Sequence, residues 1–86
     1  MIKVVFKLDK QNDFDDVPFT YAGYAGAEVN DIVVVETRYG YAIAKVIEAN
    51  VNDNRFNEEN LKSIKSIVES AAEQREKQDR IYRQKI

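Results

Sequence analysis

The chain of 86 residues contains no cysteine and no histidine. Without cysteine it has no disulfide, no zinc-thiolate centre and no cysteine nucleophile, which agrees with a reducing, cytoplasmic compartment. Without histidine it has no serine-type triad, no imidazole general base and no imidazole metal ligand. We therefore expect no enzyme, no cofactor, no metal and no small-molecule substrate. An enzyme built on carboxylates alone is the remaining catalytic alternative.

Long apolar runs are also lacking. No stretch approaches the roughly 20 apolar residues of a membrane helix, and residues 1–7 alternate polar with apolar side chains instead of forming the apolar core of a secretory signal. Hydrophobic residues make up 44% and charged residues 33% of the chain, as in soluble globular proteins. These features predict one cytoplasmic domain with no membrane contact.

A strong excess of positive charge is missing too. Residues 1–57 carry six basic and nine acidic side chains, and residues 58–86 carry seven basic and six acidic ones. Neither half has the clustered Lys and Arg of a module that grips a nucleic-acid backbone, so the charge argues mildly against tight binding of that kind.

A pair of glycines and a loop rich in aspartate do not match the ligand-binding motifs that they resemble. Gly23 and Gly26 lack the Lys-Ser/Thr pair and the following helix of a phosphate loop, and they are better interpreted as turn glycines. The acidic loop lacks the glycine and the terminal bidentate Glu of a calcium loop, so we expect a solvated loop. Its four carboxylates are Asp9, Asp13, Asp15 and Asp16.

What the chain does have is a strand pattern. Period-two alternation or β-branched runs predict strands over 2–8, 17–24, 32–37 and 41–48, and residues 50–55 should form either a short fifth strand or a polar connection. The third and fourth should form a hairpin through Arg38-Tyr39-Gly40, with Gly40 at positive φ. Because Pro18 cannot donate to a ladder, the second strand is expected at a sheet edge.

From residue 57 the pattern becomes helical. Asn57 is a good N-cap residue, Glu58 and Glu59 suit the positive end of a helix dipole, and the apolar residues then follow a helical stripe. That stripe consists of Leu61, Ile64, Val68 and Ala71. We expect one long helix over 57–86 whose first half packs on the sheet.

After residue 72 the apolar stripe fails, so the second half of this helix is expected to project from the domain. A projecting helix commonly docks on a second copy of the chain or on another protein. The expected partner interface consists of Arg75, Gln78, Ile81, Tyr82 and Ile86.

The hairpin carries the best constellation for a ligand. Aromatic side chains on a small curved sheet can stack on bases while basic side chains contact the backbone of a single strand. The candidate nucleic-acid residues are Arg38, Tyr39, Tyr41 and Lys45. The alternative is that the aromatic residues of this region only pack the core or cap the hairpin.

The hairpin sequence 31–46 resembles short uncharacterised proteins of phages and prophages. Over residues 17–48 the chain is also distantly similar to the N-terminal DNA-end-binding domain of the primosomal replication helicase. In that domain, a run of the form G-x-x-V-x-V-P-F-G-x-R-x-x-x-G-x-V closes a small barrel. Asn30 stands in place of the usual Gly, and Glu36-Thr37 in place of Pro-Phe. The resemblance implies a small barrel and, less directly, binding of a DNA 3′ end.

Together these patterns predict an α+β domain. Residues 1–56 should form a small, strongly curved, mainly antiparallel sheet of four or five strands, as a barrel or half-barrel, and residues 57–86 should form the long helix. The expected function is that of a non-catalytic interaction or assembly module of phage type, which self-associates or docks on a larger cytoplasmic machine through its helix. The alternative is a weak nucleic-acid binder in DNA replication or repair.

Overall fold

The protein is a five-stranded antiparallel sheet followed by one helix. The computed structural model describes residues 1–8 and 13–84, with side chains described as far as residue 77. The strand order is β2-β1-β4-β3-β5, and every ladder is antiparallel. The elements are β1 (Ile2–Phe6), β2 (Phe19–Tyr21), β3 (Ile32–Thr37), β4 (Gly40–Glu48), a 3-10 turn (Glu58–Asn60), β5 (Ile64–Glu69) and α1 (Ala71–Gln84).

The core lies on one face of the sheet. Alternate residues of β1, β3 and β4 point to this face, as period-two patterning requires. Its buried members are Ile2, Val4, Tyr21, Val33, Val35, Ala44 and Val46. The strands expected over 2–8, 32–37 and 41–48 are therefore confirmed in β1, β3 and β4. The second expected strand is confirmed as β2, which is short and lies at the sheet edge.

The hairpin between β3 and β4 forms as the sequence predicts. Thr37 pairs with Gly40, which leaves Arg38 and Tyr39 as a two-residue loop. Gly40 has a φ of 114°, a value that a side chain would strain. The Thr37 hydroxyl donates to the Gly40 carbonyl (2.8 Å) and accepts from the Tyr39 N–H (3.1 Å). The loop is thus held by its own side chain.

The expected closed barrel or half-barrel is wrong, because the sheet is open. Between the described parts of the two edge strands there is no continuous ladder. One isolated bridge joins Ala22 to Ser63, and the Ala22 N–H donates to the Lys62 carbonyl at 2.9 Å. β2 is only three residues long, and two register shifts interrupt the pairing of β5 with β3. Irregularities of this kind end pairing at sheet edges.

The expected long helix over 57–86 is also wrong. The Asn57 side chain does accept the Glu59 N–H (3.2 Å), but the turn it caps ends at Asn60. The following segment is β5, in which Ile64 pairs with Val35 on β3. The sheet therefore extends to residue 69, and its fifth strand is not 50–55, which forms an irregular connection.

The physical reason why residues 64–69 form a strand and not a helix is a tertiary interaction with β3. Capping and charge pairs stabilise a helix locally by a few tenths of a kcal/mol to about 1 kcal/mol each. Without β5, the outer edge of β3 would leave a row of backbone N–H and C=O groups without ladder partners. The β-branched residues Ile64, Ile67 and Val68 suit a strand at that edge. Pairing with β3 outweighs the helical spacing of the same residues.

The helix that does form begins at Ala71 and not at residue 57. The Ser70 hydroxyl accepts the Glu73 N–H (3.1 Å), and the Gln74 N–H donates to the Ser70 carbonyl (3.1 Å). Ser70 is therefore the N-cap of α1. The sequence signal for it is Ser-x-x-Glu over residues 70–73, a capping-box pattern.

Candidate functional site

A pocket of about 640 Å³ opens beside the β3–β4 hairpin. It lies where β2 and the chain before β5 diverge, so it follows directly from the open sheet. Its lining residues are Phe6, Phe19, Thr20, Tyr21, Glu36, Thr37, Arg38, Tyr39, Ala42, Asn60, Leu61 and Lys62. Hereafter these residues are called the hairpin pocket.

An aromatic cluster forms one wall of the hairpin pocket. The Phe6 ring lies 5.0 Å from the Phe19 ring and 6.4 Å from the Tyr21 ring, both in edge-to-face geometry. Phe19 is 46% exposed although it belongs to this cluster. Aromatic faces left open in a concave site are typical binding surfaces for apolar groups.

Tyr21 and Ala42 define the depth of the pocket. Tyr21 reaches across from β2, and its hydroxyl donates to the Glu36 carbonyl on β3 at 3.3 Å. Burial raises the pKa of Tyr21, so the phenol stays a neutral donor. Ala42 sits on the same face of β4 as buried Ala44 and Val46, and its single methyl group leaves space above the sheet. A larger side chain at Ala42 would fill this space.

The charged residues of the hairpin pocket are two cations and one anion. Arg38 comes from the hairpin loop, Lys62 from the segment before β5, and both are exposed. The carboxylate of Glu36 forms an ion pair with Lys65 at 3.5 Å. Among the described residues, neither Arg38 nor Lys62 forms a salt bridge. The pocket therefore presents positive charge beside an apolar wall.

The structure divides the four candidate nucleic-acid residues between two faces. Arg38 and Tyr39 line the hairpin pocket, and Tyr39 is 91% exposed. Tyr41 and Lys45 alternate with the core residues of β4 and so lie on the opposite face. The Lys45 ammonium stands 4.7 Å from the centre of the Phe14 ring there. A single-stranded nucleic acid stacked on Tyr39 would therefore not contact Lys45, which lies on the opposite face of the sheet.

The expected partner interface on the helix is only partly described. Arg75 forms an exposed ion pair with Glu28 at 3.4 Å, so it contacts the loop before β3. The side chains of Gln78, Ile81 and Tyr82, and all of Ile86, lie outside the described residues. So does Asp9 of the acidic loop. In the rest of that loop, Asp15 accepts the N–H groups of Asp16 and Val17.

Sequence reasoning missed the pocket residues that come from the chain before β5, namely Asn60, Leu61 and Lys62. Leu61 belongs to the apolar stripe that was expected to face the sheet from a helix, and on such a helix Lys62 would lie four residues after Glu58, at ion-pair spacing. Instead the Glu58 carboxylate accepts from the Met1 ammonium (3.4 Å) and from the Gly23 N–H (3.3 Å). Only the β-branched content of 64–69 pointed to a strand that would bring this segment to the pocket.

A second polar cluster surrounds Asp31, which is only 3% exposed. Its carboxylate accepts the Tyr24 hydroxyl, the Glu28 N–H (3.0 Å) and the Ala71 N–H (2.7 Å). Burial alone would raise the pKa of Asp31, but these hydrogen bonds, together with the charge of Arg75, hold that pKa below its usual value. Burial and the same carboxylate raise the pKa of Tyr24.

The three hydrogen bonds that the Asp31 carboxylate accepts therefore all serve the fold. The carboxylate ties the loop before β3 to the first residue of α1, where the helix dipole favours negative charge. It is a structural group rather than a candidate acid or base.

Neither a metal site nor a membrane-spanning helix is found among the described residues. No group of three or more acidic side chains there converges as a metal site would require. Among the same residues, no helix has the length and apolar character needed to cross a membrane.

Comparison with known proteins adds no relative: no family model, no curated protein and no solved structure matches this chain. Its function is therefore argued from the geometry of the hairpin pocket and from the chemistry of the residues that line it.

Proposed function

We propose that the protein is a non-catalytic interaction module, and that the hairpin pocket holds an apolar side chain of a protein partner. The observation that carries this proposal is the exposed aromatic wall inside a pocket of about 640 Å³. A volume in this range suits a group of the size of a large side chain with its neighbouring backbone.

The chemistry of the pocket favours binding over catalysis. Of its titratable members, Tyr21 donates its hydroxyl to a backbone carbonyl and Glu36 has its carboxylate paired with Lys65. The other three, Arg38, Tyr39 and Lys62, are exposed. Among the described residues, no side-chain hydrogen bond or salt bridge joins these three to a second acid or base of the kind that general acid–base catalysis uses. The aromatic rings instead offer apolar area, and burial of such area is the main source of affinity at protein interfaces.

The test uses N-acetyl-phenylalanine amide, a neutral probe for one aromatic residue of a peptide. In a titration followed by ¹H–¹⁵N chemical shifts, we expect the largest shifts at Phe19, Thr20 and Leu61. The variant Ala42→Leu fills the pocket and should abolish these shifts. Ala25→Leu makes the same substitution in an exposed turn and should keep them.

Shifts confined to other surfaces, or shifts that survive Ala42→Leu, would overturn the proposal. Folding of the variants is checked by the dispersion of the same spectra.

Single-stranded nucleic acid is the second candidate. Arg38, Tyr39 and Lys62 lie together at the pocket, and a base can stack on an exposed tyrosine while cations contact phosphates. This candidate predicts that a fluorescent oligothymidine binds with an affinity that falls steeply with added salt. The protein-partner proposal predicts no such binding, since only two cations face the pocket.

The expected setting is the cytoplasm, or the host cytoplasm for a phage-encoded protein. The lack of cysteine and the resemblance of residues 31–46 to phage and prophage proteins support this part of the proposal. Self-association through α1, the other route inferred from the sequence, is kept as a separate prediction, because Arg75 is the one residue of its interface whose side chain is described.

A further inference from the structure

We infer that the partner segment is acidic: the hairpin pocket binds a peptide in which a carboxylate lies within one or two residues of the apolar anchor. This inference rests on the proposed function and adds the charge of the ligand. It concerns a protein segment, and free small-molecule carboxylates serve only as a comparison.

The argument begins with the two cations of the pocket. Arg38 and Lys62 belong to separate elements, the hairpin loop and the segment before β5, yet both line the same opening. Among the described residues neither has an acidic partner within salt-bridge distance. Exposed cations beside a binding site choose partners by charge complementarity.

Two carboxylates close to these cations in the sheet or in sequence are already engaged. Glu36, the acidic residue among the lining residues, pairs with Lys65 at 3.5 Å. Glu58, which on a helix would pair with Lys62, is turned to the Met1 ammonium at 3.4 Å. The charge at the mouth of the pocket is therefore positive on a chain whose formal net charge is −2.

The position of the cations relative to the aromatic wall sets the form of the ligand. Phe19 and Tyr21 enter from β2, Arg38 comes from the β3–β4 hairpin loop, and Lys62 comes from the segment that meets the end of β2, where the Ala22 N–H donates to the Lys62 carbonyl at 2.9 Å. An apolar side chain on the aromatic wall thus has its flanking backbone beside the cations. A carboxylate close to the anchor in sequence meets them, and a basic flank is repelled.

The experiment compares three labelled peptides by fluorescence anisotropy at low salt. They share the form Ac-Ala-X-Phe-X-Ala, in which X is Asp, Asn or Lys. Exposed ion pairs contribute modestly each, so we expect the Asp peptide to bind about three- to tenfold more tightly than the Asn peptide. The Lys peptide should bind more weakly than both. Added salt should remove the preference.

Two double variants test whether the positive charge of the pocket causes the preference for the Asp peptide. Arg38→Gln with Lys62→Gln should reduce binding of the Asp peptide to the level of the Asn peptide and leave the Asn peptide unchanged. Arg55→Gln with Lys77→Gln removes the same charge from ion pairs away from the pocket and should keep the preference. Free N-acetyl-phenylalanine should compete more weakly than the Asp peptide.

The outcomes separate the two proposals. If the Asp and Asn peptides bind equally and Ala42→Leu abolishes both, the pocket binds apolar anchors and the inference on charge is wrong. If the Arg38 and Lys62 substitutions leave the Asp preference intact, the inference is wrong as well. If no peptide binds, both the proposed function and the inference fail. Tighter binding of free N-acetyl-phenylalanine would overturn the assignment to a protein segment.

Discussion

Asp31 shows how a single residue can connect distant parts of this chain. It is a buried carboxylate whose three hydrogen-bond donors come from the loop before β3 and from the start of α1, 40 residues later. Because Asn and Asp both favour turns, the pair Asn30-Asp31 indicates only a turn before β3. Nothing in the local sequence reveals that Ala71 would supply a donor.

The variant Asp31→Asn should destabilise the protein by about 2–3 kcal/mol, in the range for loss of a buried hydrogen bond to a charged group. An amide nitrogen cannot accept, so at least one of the three donors loses its acceptor. Urea unfolding at neutral pH measures the change. The control Glu36→Gln removes a carboxylate from an ion pair with Lys65 in which both side chains are half exposed, and it should leave the free energy of unfolding nearly unchanged. Equal effects of the two substitutions would contradict this role of Asp31.

The pH dependence of the free energy of unfolding should also show the contribution of Asp31. Because the folded-state pKa of Asp31 is lowered, its stabilisation is complete above the unfolded Asp pKa, near 3.9, and is lost as the pH falls through the folded pKa. Hydrogen bonds from Arg55 lower the pKa of Asp53 to about 2, with the same sign. The comparison is therefore made in an Asp53→Asn background.

In that background, the free energy of unfolding should fall more steeply with acidification below about pH 4 when Asp31 is present than when it is Asn. Urea unfolding at several pH values measures both slopes. Parallel slopes in the two chains would show that Asp31 does not titrate with a lowered pKa.

At the scale of elements, the hairpin and the C-terminal segment behave differently. β3 and β4 could be predicted residue by residue, because alternation, β-branched residues and Gly40 are local signals that agree with the tertiary structure. The segment 57–69 could not, because its caps and its spacing favour a helix while the edge of β3 favours a strand. Its contribution to the pocket, through Leu61 and Lys62, was missed for the same reason.

The true start of the helix gives a matched pair of variants. Ser70→Ala removes the N-cap of α1 and should cost about 1 kcal/mol of helix stability, seen as a loss of helical ellipticity in far-ultraviolet circular dichroism. Asn57→Ala removes the cap of a single 3-10 turn and should leave the helical signal unchanged. A larger loss of helical ellipticity from Asn57→Ala than from Ser70→Ala would contradict the described structure and support a long helix that begins at residue 57.

For the whole molecule, the sheet with its pocket and the helix α1 are two separable surfaces. Beyond residue 72, the described side-chain contacts of α1 with the rest of the protein are polar: Gln74 donates to the Asn30 carbonyl, and Arg75 and Lys77 pair with Glu28 and Glu69. Exposed ion pairs contribute about 0–1 kcal/mol each. The core, the hydrogen bonds to Asp31 and the hairpin pocket draw on residues up to 71.

Truncation after Ala72 should therefore leave the sheet folded, with a loss of about 1–2 kcal/mol from these exposed contacts. Urea unfolding of the truncated chain measures this change. Unfolding of the truncated chain would show that α1 is part of the core structure rather than an attached element.

The truncated chain also decides between the two routes to a partner. If the pocket is the binding surface, the acidic peptide should bind to the truncated and full-length chains with equal affinity. If α1 mediates self-association, light scattering over a concentration series should show a mass increase for the full chain alone. Because Ala42→Leu blocks only the pocket and truncation removes only the helix, a partner whose binding survives one change and not the other is assigned to a single surface.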